Sequence, residues 1–449
     1  MSAIDRSLYE RFEITSADGS QSADIKGGVI TFSYFENLFS PMVTAQVLVT
    51  NTGNTIPDGD GGYSSLYNGL PLRGGEKVDI KIASNSENNL DLEFSTNLGN
   101  EFYVASITDV IIDPEKEIFT LNLVSREAIT NETSRVGKKF PSSQPISDSV
   151  RDIVKEYLLS EKELNVDKTE NPYGFIGNMK KPFTILTWLA SKSVPGTVAG
   201  NSSTAGYFFF ETKEGFNFKS IDNLISTEPS SQEYIYSPKV VDSEDPNKDF
   251  KILDYATNKN QNLINNLERG AYCTYRMYYN PVDSTFTSPQ QGIFRVSDYS
   301  KKVENLGSDF EINLPPVDKS GKSLGNVPSR FMTGVLDFGT IEKKDKNSLK
   351  QNADPMEYHS QSMMRYNILF TQQLVMTIPL NTLLSAGDVI KCKFAKVTVD
   401  ENKVSDDEQS GLYMIKELVH YYENKGSFTK LRLVRDTFGK RDKWLKIIY

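Results

Sequence analysis

Residues Gly411 to Asp436 read GLYMIKELVHYYENKGSFTKLRLVRD, and this stretch decides the fold. Two runs rich in β-branched, aromatic and apolar residues flank the turn-forming sequence Glu423-Asn424-Lys425-Gly426, a pattern that predicts a β-hairpin. The stretch from Glu101 to Arg126, EFYVASITDVIIDPEKEIFTLNLVSR, aligns with it without a gap when Glu101 is placed on Gly411. The chain therefore contains the same predicted hairpin twice.

The likeness between the two halves extends upstream of the hairpins. The further matching blocks are Gly75–Ile82 with Gly387–Phe394, and Thr44–Thr50 with Thr371–Thr377. Within the last pair, the residues matched by sequence are Thr44 with Thr371, and Gln46 with Gln373. Strands share composition by default, so chance similarity is the alternative. The same order of three blocks favours a duplicated antiparallel β-barrel domain.

Length and composition set the scale of the molecule. A chain of 449 residues is long enough for three or four domains. Only 38% of the residues are hydrophobic, yet 25 Phe and 22 Tyr can fill the cores of several small β modules. The first 19 residues are polar, and no apolar run approaches the roughly 20 residues of a spanning helix. We expect no export signal and no membrane insertion.

Charge and cysteine content restrict the partners and the compartment. The net charge is −9, which disfavours stable nucleic-acid binding because such binding depends on neutralising phosphates. An acidic wall could instead line a passage through which DNA moves without binding. Cys273 and Cys392 each lie on a strand-like run, and we expect two buried free thiols in a reducing cytoplasm.

Changes of period along the chain predict its division into domains. A helical stripe runs from Val150 to Leu158 with Ser147 as a plausible N-cap, a second helix begins near Pro182, and a hairpin follows over 207–218. The fold class is mainly β, with a smaller α+β module between two barrels and a β-rich insertion. The predicted domains are a first tube-like barrel (1–134), an α+β module (135–228), a second barrel (229–279 and 356–438), an insertion (280–355) and a C-terminal tail (439–449).

The sequence contains no recognisable catalytic or metal-binding motif. His359 and His420 have no metal-ligand partner at useful spacing, and His420 is predicted to be a half-exposed strand residue. The sequence lacks HExxH, a nucleophile elbow and a phosphate-binding loop. Glu211 and Glu214 are interpreted as loop residues, where nothing would raise one pKa above the other. We therefore expect that the protein is not an enzyme and that it binds neither a metal ion nor a cofactor.

Several stretches resemble the baseplate hub protein of contractile-tailed, T-even-type bacteriophages. They are Glu101–Phe140, Ile146–Leu159, Phe183–Ser193 leading into Tyr207–Phe210, and Ala386–Asp436. The likeness covers roughly residues 20–436 at the level of patterns rather than a short motif. The loops over 51–69 and 397–409 depart from the family.

The resemblance implies a mechanical role without catalysis. In such hubs three chains place six barrels in a ring that meets the sixfold tail tube and, on its other side, the threefold central spike. The implied partners are two further copies of the chain and the spike, tail tube and baseplate wedge proteins, with DNA and tape-measure protein passing through. The protein would be assembled in the host cytoplasm and reside in the virion. Thr44, Gln46, Thr371 and Gln373 would occupy matching places, facing the lumen or a neighbour.

Two other classes of function stay open at this point. The many aromatic residues are compatible with a carbohydrate-binding, tail-fibre-like adhesin, and abundant carboxylates leave a cell-wall hydrolase possible. The basic and then apolar C-terminal tail is predicted to dock on a partner, with a disordered terminus as the alternative. Its candidate docking residues are Trp444, Leu445, Ile447, Ile448 and Tyr449.

Overall fold

A computed structural model describes most of the chain. The residues described are 2–57, 62–196, 204–236, 247–258, 263–281, 283–300, 305–307, 323–336, 355–396 and 405–439. The candidate docking residues Trp444 to Tyr449 lie outside them. Within these ranges the fold class is the predicted one: mainly β, with two barrels, an α+β module and a β-rich insertion.

The first barrel is built from strands that alternate buried and exposed residues. Its elements are β1 (Tyr9–Thr15), β2 (Ser22–Asp24), β3 (Val29–Asn37), β4 (Thr44–Asn51), β5 (Ile56–Pro57), β6 (Tyr63–Ser64), α1 (Leu66–Gly69), β7 (Lys77–Ile82), β8 (Leu92–Phe94), β9 (Phe102–Ile112), β10 (Glu117–Ser125) and α2 (Arg126–Thr133). In β10, Phe119, Leu121 and Leu123 point into the core while the residues between them face outward. This period of two is what a strand with one buried face requires.

The α+β module follows. Its elements are β11 (Lys139–Phe140), α3 (Ile146–Tyr157), β12 (Glu163–Val166), β13 (Phe175–Ile176), α4 (Pro182–Ala190), β14 (Tyr207–Thr212), β15 (Gly215–Ser220) and α5 (Ile221–Ser226). Every residue of β14 is buried, because its two faces pack in different cores. Phe209 packs in the core of the module, and Phe208 and Phe210 pack in a core shared with the second barrel. The module is therefore fused to its neighbour through one strand.

The rest of the chain forms the insertion and the second barrel. Its elements are β16 (Tyr234–Tyr236), β17 (Lys251–Ile252), β18 (Asp254–Asn258), α6 (Leu263–Glu268), β19 (Cys273–Asn280), β20 (Thr285–Phe286), α7 (Pro289–Gly292), β21 (Ile293–Arg295), α8 (Val296–Ser300), β22 (Arg330–Val335), α9 (Pro355–Ile368), β23 (Gln372–Pro379), β24 (Val389–Lys393), β25 (Gly411–Glu423) and β26 (Gly426–Arg435). The hairpins predicted from the two matching stretches are confirmed as β9–β10 and β25–β26. Cys273 and Cys392 are buried and free, as predicted.

The insertion begins earlier than predicted. Strand β19, which we placed in the second barrel, pairs with β20, β21 and β22 in a separate four-stranded sheet. The beginning of the predicted second segment of that barrel is likewise a helix, α9, whose Met364 and Ile368 pack with Ala271 and Val296. A strand at the boundary of an insertion can pair with either neighbouring sheet, and local sequence does not decide which.

The two barrels share one strand order. It is β1-β7-β9-β10-β4-β3 in the first barrel and β16-β24-β25-β26-β23-β18 in the second. All neighbouring pairs are antiparallel except β16 with β24, which is parallel. The duplication inferred from sequence is thus a shared order of six strands, of which five also share their direction and β16 runs opposite to β1.

The pairing register corrects the residue match between β4 and β23. Gln46 lies opposite Asn122 of β10. Leu431 and Leu433 of β26 pack in the second core as Leu121 and Leu123 of β10 pack in the first, so Arg432 is the counterpart of Asn122. Arg432 lies opposite Val375 of β23. Gln46 therefore corresponds to Val375, and not to Gln373 as predicted.

The same shift of two residues makes Gln373, and not Thr371, the counterpart of Thr44. Thr371 lies just before the start of β23. A shift of two keeps every side chain on its own face of the sheet, so the alternation of apolar residues could not reveal it.

Candidate assembly interface between the two barrels

Strand β25 joins the two barrels into one continuous sheet. Its first part, Gly411–Met414, pairs with β24 of the second barrel. Its later part, from Glu417 to Glu423, pairs antiparallel with β3 of the first barrel. The chain thus makes a barrel-to-barrel contact through main-chain hydrogen bonds.

The end of β25 reaches the core of the first barrel. Tyr422 is 1% exposed and belongs to that core, with its ring centroid 5.8 Å from that of Phe32. The hydroxyl of Tyr9 donates a hydrogen bond of 3.2 Å to the main-chain oxygen of Tyr422. A tyrosine of the second hairpin therefore completes the packing of the first barrel.

A buried carboxylate lies where the two barrels and the module meet. Glu36 on β3 accepts hydrogen bonds from the main-chain N–H of Ala386 at 2.7 Å and of Lys213 at 2.9 Å. It also accepts one from the Tyr34 hydroxyl at 2.8 Å. Burial raises the pKa of the Glu36 carboxyl, although the Lys213 charge and these three donors oppose the shift. One side chain thus ties together all three parts of the molecule.

A second buried cluster joins the first barrel to the module. The Lys162 ammonium lies 2.7 Å from Glu127 of α2 and 2.6 Å from Glu211 of β14. The other oxygen of Glu211 accepts from the main-chain N–H of Val43 at 2.9 Å and from the Ser125 hydroxyl at 2.7 Å. Burial raises the pKa of Glu211. Burial acts in the same direction on Glu127, but the Lys162 charge and hydrogen bonds leave the pKa of Glu127 lowered.

The placement of Glu211 corrects the sequence interpretation. It lies in a buried strand rather than in a polar loop, and both of its oxygens are engaged in contacts that hold the fold. A buried Glu was missed because β14 is followed directly by a polar turn. Lys162 pairs with Glu211, whose pKa is raised, and with Glu127, whose pKa is lowered, in an ion cluster that joins two parts of the fold.

A third cluster joins the module, the second barrel and α9. Arg365 is fully buried and lies 3.0 Å from Asp222 of α5 and 3.0 Å from Asp436, which follows β26. Asp436 also accepts from the main-chain N–H of Leu306 at 2.9 Å. Because unpaired buried charges are costly, each of these clusters strongly disfavours a change in how the parts are arranged.

His420 is fully buried rather than half-exposed as predicted, because β3 covers its strand. Its Nδ1 lies 2.9 Å from the Thr429 hydroxyl, and its ring stacks on Tyr34 with centroids 6.0 Å apart. Burial, with a smaller contribution from the Lys213 charge, lowers the pKa of His420 well below its usual range. This imidazole is therefore a neutral packing residue at the junction.

The polar residues singled out on β4 lie on the face of the sheet turned away from the core. The side-chain amide of Gln46 donates to Oδ1 of Asn122 at 3.0 Å, and Nδ2 of Asn122 donates to the hydroxyls of Ser106 at 3.2 Å and Thr108 at 3.1 Å. This forms an uncharged polar ladder across β4, β10 and β9. In the second barrel, Gln373 is half-buried, and the Thr371 hydroxyl caps Ile368 of α9. Thr44, Gln46, Thr371 and Gln373 therefore do not form one site.

No group of three or more His, Cys, Asp or Glu residues suited to a metal ion occurs in the part of the chain that the structure describes. Among the same residues, none of the helices has the length and apolar character needed to cross a membrane.

Known structures share this architecture. A tail protein from Neisseria meningitidis MC58 superposes with a TM-score of 0.50 over 95% of this chain and 96% of its own, at 9% identity. A 43 kDa tail protein of prophage MuSo2 from Shewanella oneidensis superposes with a TM-score of 0.51 over 95% and 98%, at 11% identity. The chain has the fold of phage tail proteins. No protein-family model and no curated protein sequence matches it. The shared fold extends over 95% of this chain in both superpositions.

Proposed function

We propose that this chain is the baseplate hub of a contractile phage tail, a structural virion protein without catalytic activity. Three copies would form a ring that presents six barrels to the tail tube and threefold symmetry to the central spike. The observation that carries the proposal is the strand order shared by the two barrels. A threefold object can mate with a sixfold one only if each chain offers two near-equivalent faces.

The fixed geometry of the two barrels supports this role. An adapter must hold its two tube-like faces at one angle, and the shared sheet through β25 and β3 does so with main-chain hydrogen bonds. The buried residues Glu36 and Arg365 and the largely buried Lys162 then hold the module between the barrels. Since each would lose its partners if the parts separated, the chain behaves as a single body.

The uncharged ladder on the outer face of the first barrel supports a channel for DNA and tape-measure protein. Gln46, Asn122, Ser106 and Thr108 carry no charge to hold a phosphate backbone, and the whole chain has a net charge of −9. We propose that this face lines the lumen. Tail tube, spike and wedge proteins would bind the rims of the ring.

Many of the aromatic rings that motivated the adhesin alternative are core residues. Tyr34, Tyr207, Tyr234 and Tyr413 are fully buried. Exposed aromatic side chains also occur, such as Tyr63, Phe286 and Phe331.

A reconstruction of the tail tip tests the proposed function. Particles that carry this chain should show three copies in a ring at the end of the tube, with six barrels in contact with the first tube ring. A small tag fused to the chain should label the same ring. Labelling of fibres, or a tail tip without this chain, would contradict the proposal.

A further inference from the structure

The hairpin β9–β10 has the same register near its turn as β25–β26, since Ile112 lies opposite Glu117 as Tyr422 lies opposite Ser427, but β9 lacks the second partner that β25 has. Phe102 and Tyr103 pair with β7, as the first part of β25 pairs with β24. Beyond them, from Ala105 to Ile112, the outer edge of β9 pairs with no strand in the described part of the chain. The corresponding part of β25 is covered by β3.

The uncovered end of β9 is apolar. Ile111 and Ile112 are 61% and 62% exposed, whereas Tyr422, in the same place at the end of β25, is 1% exposed. A long edge with open N–H and C=O groups and exposed isoleucines is what a protein normally avoids unless another strand covers it.

The matching acceptor edge is also open. Strand β18 of the second barrel corresponds to β3 of the first. Ala256 lies opposite Val375, as Ser33 lies opposite Gln46. Tyr255 packs on the core of the second barrel, as Phe32 packs in the core of the first. In the described residues β18 pairs only with β23. The second barrel therefore lacks the strand that β25 supplies to the first.

We propose that the end of β9 pairs antiparallel with β18 of a second copy of this chain, which repeats between chains the contact that β25 makes with β3 within one chain. Within one chain Tyr421 lies opposite Ser33 and Tyr422 lies opposite Phe32. Between chains Ile111 would lie opposite Ala256, and Ile112 opposite Tyr255. Ile112 then packs beside Tyr255 at the edge of its neighbour's core. Main-chain pairing supplies the affinity, and the two isoleucines supply the buried apolar area.

This pairing deepens the proposed hub and rests on it, because a ring of three chains closes only if each first barrel meets the second barrel of the next chain. Head-to-tail contacts of this kind form closed rings when the rotation permits. Within the ring, contacts inside one chain and contacts between chains would alternate and have the same geometry.

Cross-linking with a designed cysteine pair tests the register. Paired residues of antiparallel strands have Cα atoms about 4.5–5.5 Å apart, within the range of a disulfide. The full-length variant I111C/A256C, oxidised at micromolar concentration, should give a ladder of covalent dimers and trimers on a non-reducing gel that dithiothreitol collapses. The native cysteines are buried and should contribute little.

Three controls separate the outcomes. The single variants I111C and A256C, and the pair I176C/A256C, which moves one cysteine to an exposed residue of the module, should give no trimer ladder. A native mass of three chains without the ladder would overturn the strand pairing and leave the hub intact. The ladder with a mass that is not a multiple of three would support the pairing and overturn the hub. Monomers alone, without a ladder, would overturn both.

Discussion

Tyr422 of the second hairpin packs its ring 5.8 Å from Phe32, inside the core of the other barrel. The two barrels consequently share side chains as well as a sheet. Separating them would uncover a fully buried aromatic ring, so we expect them to unfold together.

Tyr422→Ala should remove this shared packing. Loss of a buried aromatic ring costs about 3–5 kcal/mol in the free energy of unfolding. The matched control is Tyr422→Phe, since the Tyr422 hydroxyl has no hydrogen-bond partner among the described residues and its removal should be neutral or stabilising. Urea unfolding of the three proteins measures the difference. Equal stability of the alanine and phenylalanine variants would contradict the shared core.

Lys162→Met should leave Glu127 and Glu211 buried without their cation. We expect a loss of about 3–5 kcal/mol at neutral pH. Without Lys162 the folded-state pKa of Glu127 rises above the unfolded value, and that of Glu211, already raised by burial, rises further, so the loss should grow from pH 5 to pH 8 as the carboxyls ionise. Lys219→Met, which removes a partly exposed ion pair with Asp167, is the control and should cost below about 1 kcal/mol. A loss independent of pH would argue against the cluster.

Arg365→Met should loosen the attachment of α9 to the module and to the second barrel. Asp222 and Asp436 would be left buried without a counter-charge, at a cost of about 3–5 kcal/mol. Hydrogen exchange should increase in α5 and in the residues after β26. Arg432→Met removes an ion pair whose arginine side chain is 62% exposed, and it should change little. Similar effects of both variants would show that Arg365 is not a structural link.

His420 should make the molecule less stable in mild acid. Its pKa in the folded chain lies well below the ordinary value of 6.5. Above pH 6.5 both states hold a neutral imidazole, but below that pH only the unfolded state takes up a proton, so stability is lost as pH falls. Between pH 7.5 and 5.5 the loss from this residue should be about 1.4 kcal/mol.

The variant His420→Gln isolates that contribution, because an amide can keep a hydrogen bond to Thr429 and does not titrate. The difference in unfolding free energy between the variant and the native chain should shrink as pH falls from 7.5 to 5.5. A difference that does not change with pH would show that His420 titrates normally in the folded state.

Local sequence patterns predicted the helices and strands, but they did not predict which distant strands pair. Alternation identified both hairpins, and the helical period with Pro182 identified α3 and α4. The match of Gln46 with Gln373 was wrong by two residues, because such a shift leaves the buried face unchanged.

The junction was missed for a different reason. The residues of β3 and β25 that pair are far apart in the chain, and nothing local marks a strand as divided between two partners. Lys162 and Arg365 show the same limit, since their partners come from separate parts of the sequence. Burial of a charge depends on what the fold brings beside it.

The mass of the assembled protein tests the central claim most directly. A chain of 50.5 kDa that supplies two equivalent barrels should form a complex of three copies, or a multiple of three, in native mass spectrometry at micromolar concentration, alone or with its tail tube protein. A chain that stays monomeric under both conditions, or that forms only dimers, would contradict the symmetry-matching role.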